Sequence, residues 1–454
     1  MQCDYRRSTV GKLEDICNFV LKEAEKKGAN YCEAYGVSNK ESEVFIENND
    51  LKQSKSHRTG GLGIRVFING SLGFSSTNIL EREHISNAVT QAIKLARVSP
   101  SDKYNSMPFS RTVKLLNGIY DRNSESFNAP DTVKMAVDML DAAKSYDNRI
   151  SVDSGNFTSS VMTHALLNSN GVRTKETISA FSWSIMGMAI DGSEVSNFDF
   201  QFGGTHNVKD IDVRTTSREF GKSVVNSLGS KKIDSFKGEM LLTPSAVTEL
   251  ILDVIAYSIN SQTVQKEASK FKGQLGKTVS SDLLTLIDDA TNVNGLGASS
   301  FDREGMPHKS NLIIEKGILK KFLYNTYTAN KDHTESTSNA GGSPKSPPIV
   351  STTNVIIKAG KSRAENLISE MDKGIMINRF SGNVNPVNGD FSGVVKGGQY
   401  IKKGNIEYAV KEVMVTGNVF DALKDLNGIS KEQKILSDSI LPYMRFENVS
   451  FTAG

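Results

Sequence analysis

A chain of 454 residues, 38% hydrophobic and 23% charged, has room for two to four domains, or two large ones, with a sizeable core. Its formal charge of +3, spread over that length, excludes a surface built to coat nucleic acid. No run of about 18 apolar residues occurs. The N-terminal MQCDYRRSTVGKLEDIC lacks an apolar signal core, so a cytoplasmic protein with no membrane span is expected.

Residues 1–10 read as a loose end. From Lys12 to Lys27, the side chains Leu13, Ile16, Phe19, Val20 and Ala24 share one helical face, and Gly28 closes the helix. Cys3, Cys17 and Cys32 are odd in number and show no CxxC spacing. They read as buried or idle thiols rather than a disulfide framework or a zinc site. Three short strands are expected near 31–37, 43–47 and 63–67. Asn69-Gly70 signals a hairpin, because a type I′ turn needs positive φ at both central residues. A second amphipathic helix spans 81–98. Residues 99–130 carry Pro100, Pro108 and Pro130 and read as a connector.

A helix over 131–144 presents Val133, Ala136, Val137 and Leu140. Strand-like runs follow at 151–157, 162–167 and 172–190, with a turn at Asn170-Gly171 and Trp183 as a packing residue. Phe198, Phe200 and Phe202 alternate on one strand face. An aromatic platform for nucleic acid would need basic residues between them, and none stands there, so packing is the reading. A helix over 212–228 ends this half.

The second half opens with a strand at 237–242. Thr243 then caps a helix with Pro244 in its first position, and Val247, Leu250, Ile251, Val254 and Ile255 form its inward stripe. Gly273-Gln274-Leu275-Gly276-Lys277-Thr278 imitates a phosphate loop, but Phe271 stands where the first glycine belongs. Gly295 to Ser300 lacks the third glycine of a dinucleotide fingerprint.

The stretch 301–342 is the most distinctive. It holds a charged turn, Asp302-Arg303-Glu304-Gly305, and a hairpin of 311–315 and 318–324 about Lys316-Gly317. A polar loop over 334–342 follows. A hairpin flanked by two polar, glycine-bearing loops is one way to build a binding edge. On pattern alone, Asp302, Arg303 and Glu304 read as a solvated turn. The alternative is a carboxyl–guanidinium pair beside a cleft. Farther on, Ser362 and Glu365 have capping-box spacing for a helix reaching about 372. Short strands with glycine turns, a helix near 419–426 and a final strand near 443–451 complete the chain.

The fold class is therefore α+β. An N-terminal domain, 1–230, would place helices on an antiparallel sheet. A C-terminal domain, 231–454, would be rich in antiparallel β-strands. A catalytic zinc needs three close ligands. No two of His57, His84, His164, His206, His308 and His333 stand within one helical turn. Gly389-Asp390-Phe391-Ser392-Gly393 has the wrong spacing for a serine-hydrolase elbow. Neither pattern yields a catalytic or metal-ligating residue.

Several pieces, in order, resemble the TldD/PmbA family, most closely its PmbA (TldE) branch. They are Gly61 to Phe67 with Gly70, Gly73 and Phe74; Asn168 to Val172; and Phe301 to Gly305. Further pieces are Tyr324 to Ala329, Ser336 to Ala340, Gly389 to Gly393, Gly404, and the closing 449–454. The resemblance covers nearly the whole chain and implies a metallopeptidase subunit acting on peptides or unfolded protein segments. The TldD branch carries zinc on an HExxxH helix and a C-terminal cysteine. Here the matching helix start reads Thr243-Pro244-Ser245-Ala246-Val247-Thr248, and no cysteine follows Cys32.

No catalytic or metal residue is therefore carried over. The resemblance implies no cofactor in this chain and zinc in a TldD-like partner. It implies pairing with that subunit, or with itself as a dimer, and a peptide substrate, with no direct nucleic-acid or membrane contact. Asp302, Arg303, Glu304, Tyr324, Tyr327 and Asn339 are the candidates for the substrate path or the subunit interface. Two alternatives are an autonomous hydrolase with a non-standard metal site, and a non-enzymatic protein-binding modulator of the kind the family's "gyrase modulator" label implies.

Overall fold

The computed structural model describes the chain from Thr9 to Gly454, with side chains from Leu13 onward. The expected loose end lies outside the described residues up to position 8, as does Cys3. The first helix, α1, spans Thr9–Lys26.

Two strands dominate the N-terminal half: β1, Tyr31–Glu47, and β2, Asp50–Ile68, 17 and 19 residues long. They absorb the three short strands expected there. Asn48 and Asn49, at φ 52° and 65°, make the tight turn between them. Next come β3 (Ser71–Thr77), α2 (Arg82–Val98), α3 (Ala129–Tyr146) and β4 (Ile150–Asn168). The half ends with β5 (Arg173–Asp191), β6 (Glu194–Val195), β7 (Asp199–Thr205) and α4 (Val213–Asn226). The strands form one antiparallel sheet in the order β3-β2-β1-β4-β5-β6, with β7 also on β5.

Helices cover one face of this sheet. At one end Leu13, Cys17 and Val20 of α1 and Ile85, Val89 and Ile93 of α2 pack on Leu62, Ile64 and Val66. At the other, α3 and α4 pack on Phe157, Phe181 and Trp183. Trp183 stacks on Phe157 at 6.1 Å and donates its indole N–H to Thr216 Oγ1 at 2.8 Å. In α3 the inward set is Ala136, Met139, Leu140 and Ala143, whereas Val137 is exposed. The other face of the sheet carries Asn39, Glu41, Glu43, Thr158, Ser160 and Ser182, all half-buried.

The C-terminal half is a thirteen-stranded sheet organised on its last strand, Ser439–Ala453. That strand pairs antiparallel with Phe236–Leu242, Val413–Asn418 and Leu426–Leu436, and parallel with Val355–Ile357. Behind it runs the helical stretch 244–259, interrupted by a π-turn at Thr248–Leu252. Thr243 Oγ1 accepts the Ala246 N–H at 3.4 Å, and the expected apolar stripe is fully buried. The fold is α+β.

Two local expectations need correction, and one helix was not foreseen. The hairpin about Lys316-Gly317 is short, pairing Ser310–Glu315 with Ile318–Leu319 only. Thr326–Lys331 is helical, with Asn325 as its cap. The Ser362–Glu365 capping box does not form: the helix is Ala364–Ser369, with Arg363 at its cap position. The Glu432 carboxylate supplies the acceptor instead, taking the Ala364 N–H at 2.9 Å. Among the described residues no helix is long and apolar enough to cross a membrane.

Candidate functional site

The charged turn is buried, not solvated. Asp302, Arg303 and Glu304 are 2%, 4% and 0% exposed. The turn enters the base of the N-terminal sheet, where the β1–β2 register sets Glu33 opposite Arg65. Arg65 Nη2 donates to Glu33 Oε2, and Arg65 Nη1 to Glu304 Oε1 at 2.9 Å. Arg303 Nη1 donates to Glu33 Oε1 at 2.9 Å, and its guanidinium lies 3.9 Å from the Tyr35 ring centroid. Two carboxylates and two guanidinium groups thus alternate across the junction of the two sheets.

Burial alone would raise the Glu33 carboxyl, but Arg65 and Arg303 outweigh it and hold the group below the usual range. Glu304 Oε2 also accepts the Thr326 N–H at 2.8 Å. Asp302 shapes the turn itself: it accepts N–H bonds from Glu304, Met306 and Ala340. Burial and the Glu304 charge push the Asp302 carboxyl upward. Gly305 sits at φ 77°, and a Cβ there would meet Val172 Cγ1 at 2.4 Å.

The other candidates fall around this turn. Asn339 is buried and donates to Asp288 Oδ2 at 2.6 Å, while Asn311 donates to its Oδ1 at 3.2 Å. Burial pushes the Asp288 carboxyl up to about 6. Tyr324 and Tyr327 are half-buried, and their hydroxyls donate to Asp332 at 3.1 Å and Asp102 at 2.8 Å. Asp302, Arg303 and Glu304 therefore converge with Asn339 beside them, while the two tyrosines spend their polar ends farther out.

Next to the turn lies a cleft of about 210 Å³, lined by Tyr35, His164, Ser299, Asp302, Arg303 and His308 with Gly341 and Gly342. A larger cleft of about 460 Å³ lies between α1 and the Asn168–Gly171 turn, away from these groups. His164 and Glu176 are cross-strand partners on β4 and β5, and His164 Nε2 lies 2.9 Å from Glu176 Oε1. Glu176 also accepts from the Ser299 hydroxyl at 2.7 Å and the Ser300 N–H. Burial would raise Glu176, but His164 and these donors hold it below the usual range.

An ionised Glu176 only accepts, so His164 Nε2 carries a proton and Nδ1 faces the Tyr35 hydroxyl at 3.3 Å. A hydrogen-bonded chain Tyr35–His164–Glu176 thus ends at the cleft. Sequence reasoning passed over these residues. The available signal was two ionisable residues, Glu33 and His164, each inside a largely apolar strand run, whereas Glu176 sits in the polar run Arg173 to Thr177 and gave none.

His308, on the same cleft, is pushed down to about 4, chiefly by burial. In the folded state the neutral imidazole is favoured, whereas the unfolded chain takes the proton near 6.5. Stability from this group is complete above about 6.5 and is lost as pH falls toward 4. A His308→Gln variant is expected to lose that slope. Urea midpoints of wild type and variant should differ in pH dependence across this window, and parallel curves would refute the assignment.

Sequence models of three parts of the PmbA/TldA metallopeptidases match this chain: domain 1 over residues 32–96, the central domain over 122–228 and the C-terminal domain over 235–453. The chain belongs to the PmbA/TldD metallopeptidase family. An uncharacterized protein of Methanocaldococcus jannaschii is 28% identical over 428 residues, covering 93% of this chain and 97% of that one. A metalloprotease PmbA homolog of Buchnera aphidicola is 27% identical over 394 residues, covering 86% and 85%. The crystal structure of TldE from Thermococcus kodakarensis shares the fold, with a TM-score of 0.89 at 23% identity, covering 96% of this chain and all of that one.

The family name implies a metal, and the helical stretch 244–259 is where the resemblance puts its ligands. This stretch holds no histidine and no cysteine. Glu249 is engaged: it pairs with Arg379 Nε at 2.8 Å and accepts the Phe380 N–H at 2.6 Å. Its inward side chains are Val247, Leu250, Ile251, Val254 and Ile255, all in the core. These residues do not fit a zinc site. Cys17 and Cys32 are buried, and burial pushes both thiols up, Cys17 to about 12.

Proposed function

We propose that this chain is the PmbA/TldE-type subunit, without the family's catalytic zinc site, of a cytoplasmic two-component peptidase acting on peptides or unfolded protein segments. The observation that carries this reading is the helical stretch 244–259. A family of metallopeptidases is represented here by a chain whose corresponding helix is apolar inward and keeps its one inward-region carboxylate, Glu249, tied to Arg379. Zinc would be supplied by a TldD-like subunit. This chain would contribute the wall of a shared chamber and hold extended substrate through backbone pairing along strand edges. The Arg303–Glu33–Arg65–Glu304 network supports that role by fixing one sheet against the other, so that the cleft at Tyr35 and His308 keeps its shape.

The test is coexpression with a TldD-like protein from the same genome. A co-eluting complex is expected, with the catalytic zinc in the partner and cleavage of an unfolded protein only by the mixture. Cleavage by this chain alone, with stoichiometric zinc and loss on chelation, would overturn the reading.

A further inference from the structure

The long hairpin carries a donor set that the peptidase reading leaves unused. Glu41 and Glu43 stand two apart on β1, so their side chains leave the same face. The register sets His57 of β2 opposite Glu41, and Lys55 opposite Glu43. One donor atom from each of Glu41, Glu43 and His57 lies within 4.8 Å of the others. His57 Nε2 is 3.4 Å from Glu41 Oε1. Two ligands bound about 2.0–2.1 Å from a tetrahedral metal stand roughly 3.4 Å apart, so this pair already has the spacing of a shared ion.

Charge points the same way. Two carboxylates this close repel each other unless a cation lies between them. Lys55, the cation opposite Glu43, instead lies over the ring of Phe45, its Nζ 5.0 Å from the centroid. Among the described residues Glu43 has no ion pair, and Glu41 has only His57. Asn39, on the same strand face, donates its amide N–H to Glu41 Oε2 at 3.1 Å, and its own Oδ1 is buried with no partner among the described residues. That bond holds one carboxylate oxygen from behind and leaves Oε1 toward His57, as outer partners orient metal ligands.

The backbone under the ligands is also fixed. β4 pairs with the far side of β1, setting Ser160 opposite Glu41 and Thr158 opposite Glu43. β2 is held less: β3 pairs with Leu62 to Ile68, so among the described residues the stretch around His57 is paired on the β1 side alone.

We propose that Glu41, Glu43 and His57 form a divalent transition-metal site of the zinc class on the open face of the N-terminal sheet. An imidazole with two carboxylates suits zinc, whereas magnesium prefers oxygen ligands and keeps its water. Three protein ligands leave a position for water or for a group held on that face. The ion would clamp the exposed stretch of β2 onto β1. This site is independent of the proposed subunit role and lies on a different element from the helix that lacks the family's ligands.

The test is calorimetric titration of the chelator-stripped full chain with zinc, with magnesium in parallel, and hydrogen exchange over 52–59 in the same samples. One zinc per chain is expected, binding at least tenfold more weakly in His57→Ala and in the Glu41→Gln/Glu43→Gln double variant. His84→Ala, which removes an exposed histidine on α2, should retain wild-type affinity. Zinc should slow exchange over 52–59 in the wild type and not in His57→Ala. Unchanged affinity in the variants, magnesium binding as tight as zinc, or no zinc at one per chain would each overturn the proposal.

Discussion

Arg65→Ala is expected to destabilise the protein by about 3–5 kcal/mol, the range for stripping one partner from a buried ion pair. Arg65 stands between two carboxylates that are each 0% exposed, Glu33 and Glu304. Among the described residues, its loss leaves Glu33 with Arg303 alone and Glu304 with only the Thr326 N–H. Water cannot replace the lost donors without opening the junction between the sheets. Arg65→Ala with Glu304→Gln removes one of the stranded charges, so the pair of changes should cost less than Arg65→Ala alone.

Urea unfolding, followed separately through Trp183 in the N-terminal half and through hydrogen exchange in 236–453, measures both the loss and the coupling. Wild type should unfold with coincident transitions, and Arg65→Ala with separated ones. The gap between wild type and variant should also depend on pH. Glu33 is held below 4.5 in the folded state, so its contribution is present above about 4.5 and is lost as pH falls through the lower folded value. A loss under about 1 kcal/mol at neutral pH would show that the junction is solvated, as exposed pairs are.

That network marks where sequence reasoning runs out. Features set by neighbours in sequence were legible. Asn69-Gly70 and Lys316-Gly317 do adopt positive φ at both positions, and the stripe from Val247 to Ile255 is buried as its spacing predicts. The length of β1 and β2 was not, because Lys52 to Thr59 is exposed on both faces and shows no alternation. Asp302, Arg303 and Glu304 read as solvent-facing because four consecutive polar or glycine residues match a surface turn.

Their partners are far away in the chain. Arg303 bonds a residue 270 positions earlier, and Glu304 one 239 positions earlier. The misplaced capping box has the same origin, since Glu432 reaches Ala364 from 68 residues downstream. The family resemblance pointed to the same turn without supplying the reason for its burial.

Gly73→Ala is expected to displace α2 from the sheet, with a loss at or above the upper end of the ~1–3 kcal/mol typical of overpacked sites. A Cβ on Gly73 would lie 1.9 Å from the Ala92 carbonyl oxygen and 2.6 Å from the Ala96 nitrogen. Both obstacles are helix backbone, so no side-chain rotation relieves them. The small residues Ala88, Ala92 and Ala96 on the buried face of α2 are what let the helix come this close.

Moving α2 outward would also open the contacts of Ile85, Val89 and Ile93 with Leu62, Ile64 and Val66. Gly73 therefore serves a different purpose from Gly70 three residues earlier. Gly70 sits at φ 81° and is needed for the turn, whereas Gly73 has no positive φ and is needed only for space. Hydrogen exchange should accelerate in α2 and β3 of the variant and stay unchanged in 236–453. Because the obstacle is a carbonyl, adding Ala92→Gly should not restore stability. Recovery in that double variant would mean that the Ala92 side chain, not the helix backbone, sets the limit on how closely α2 approaches the sheet.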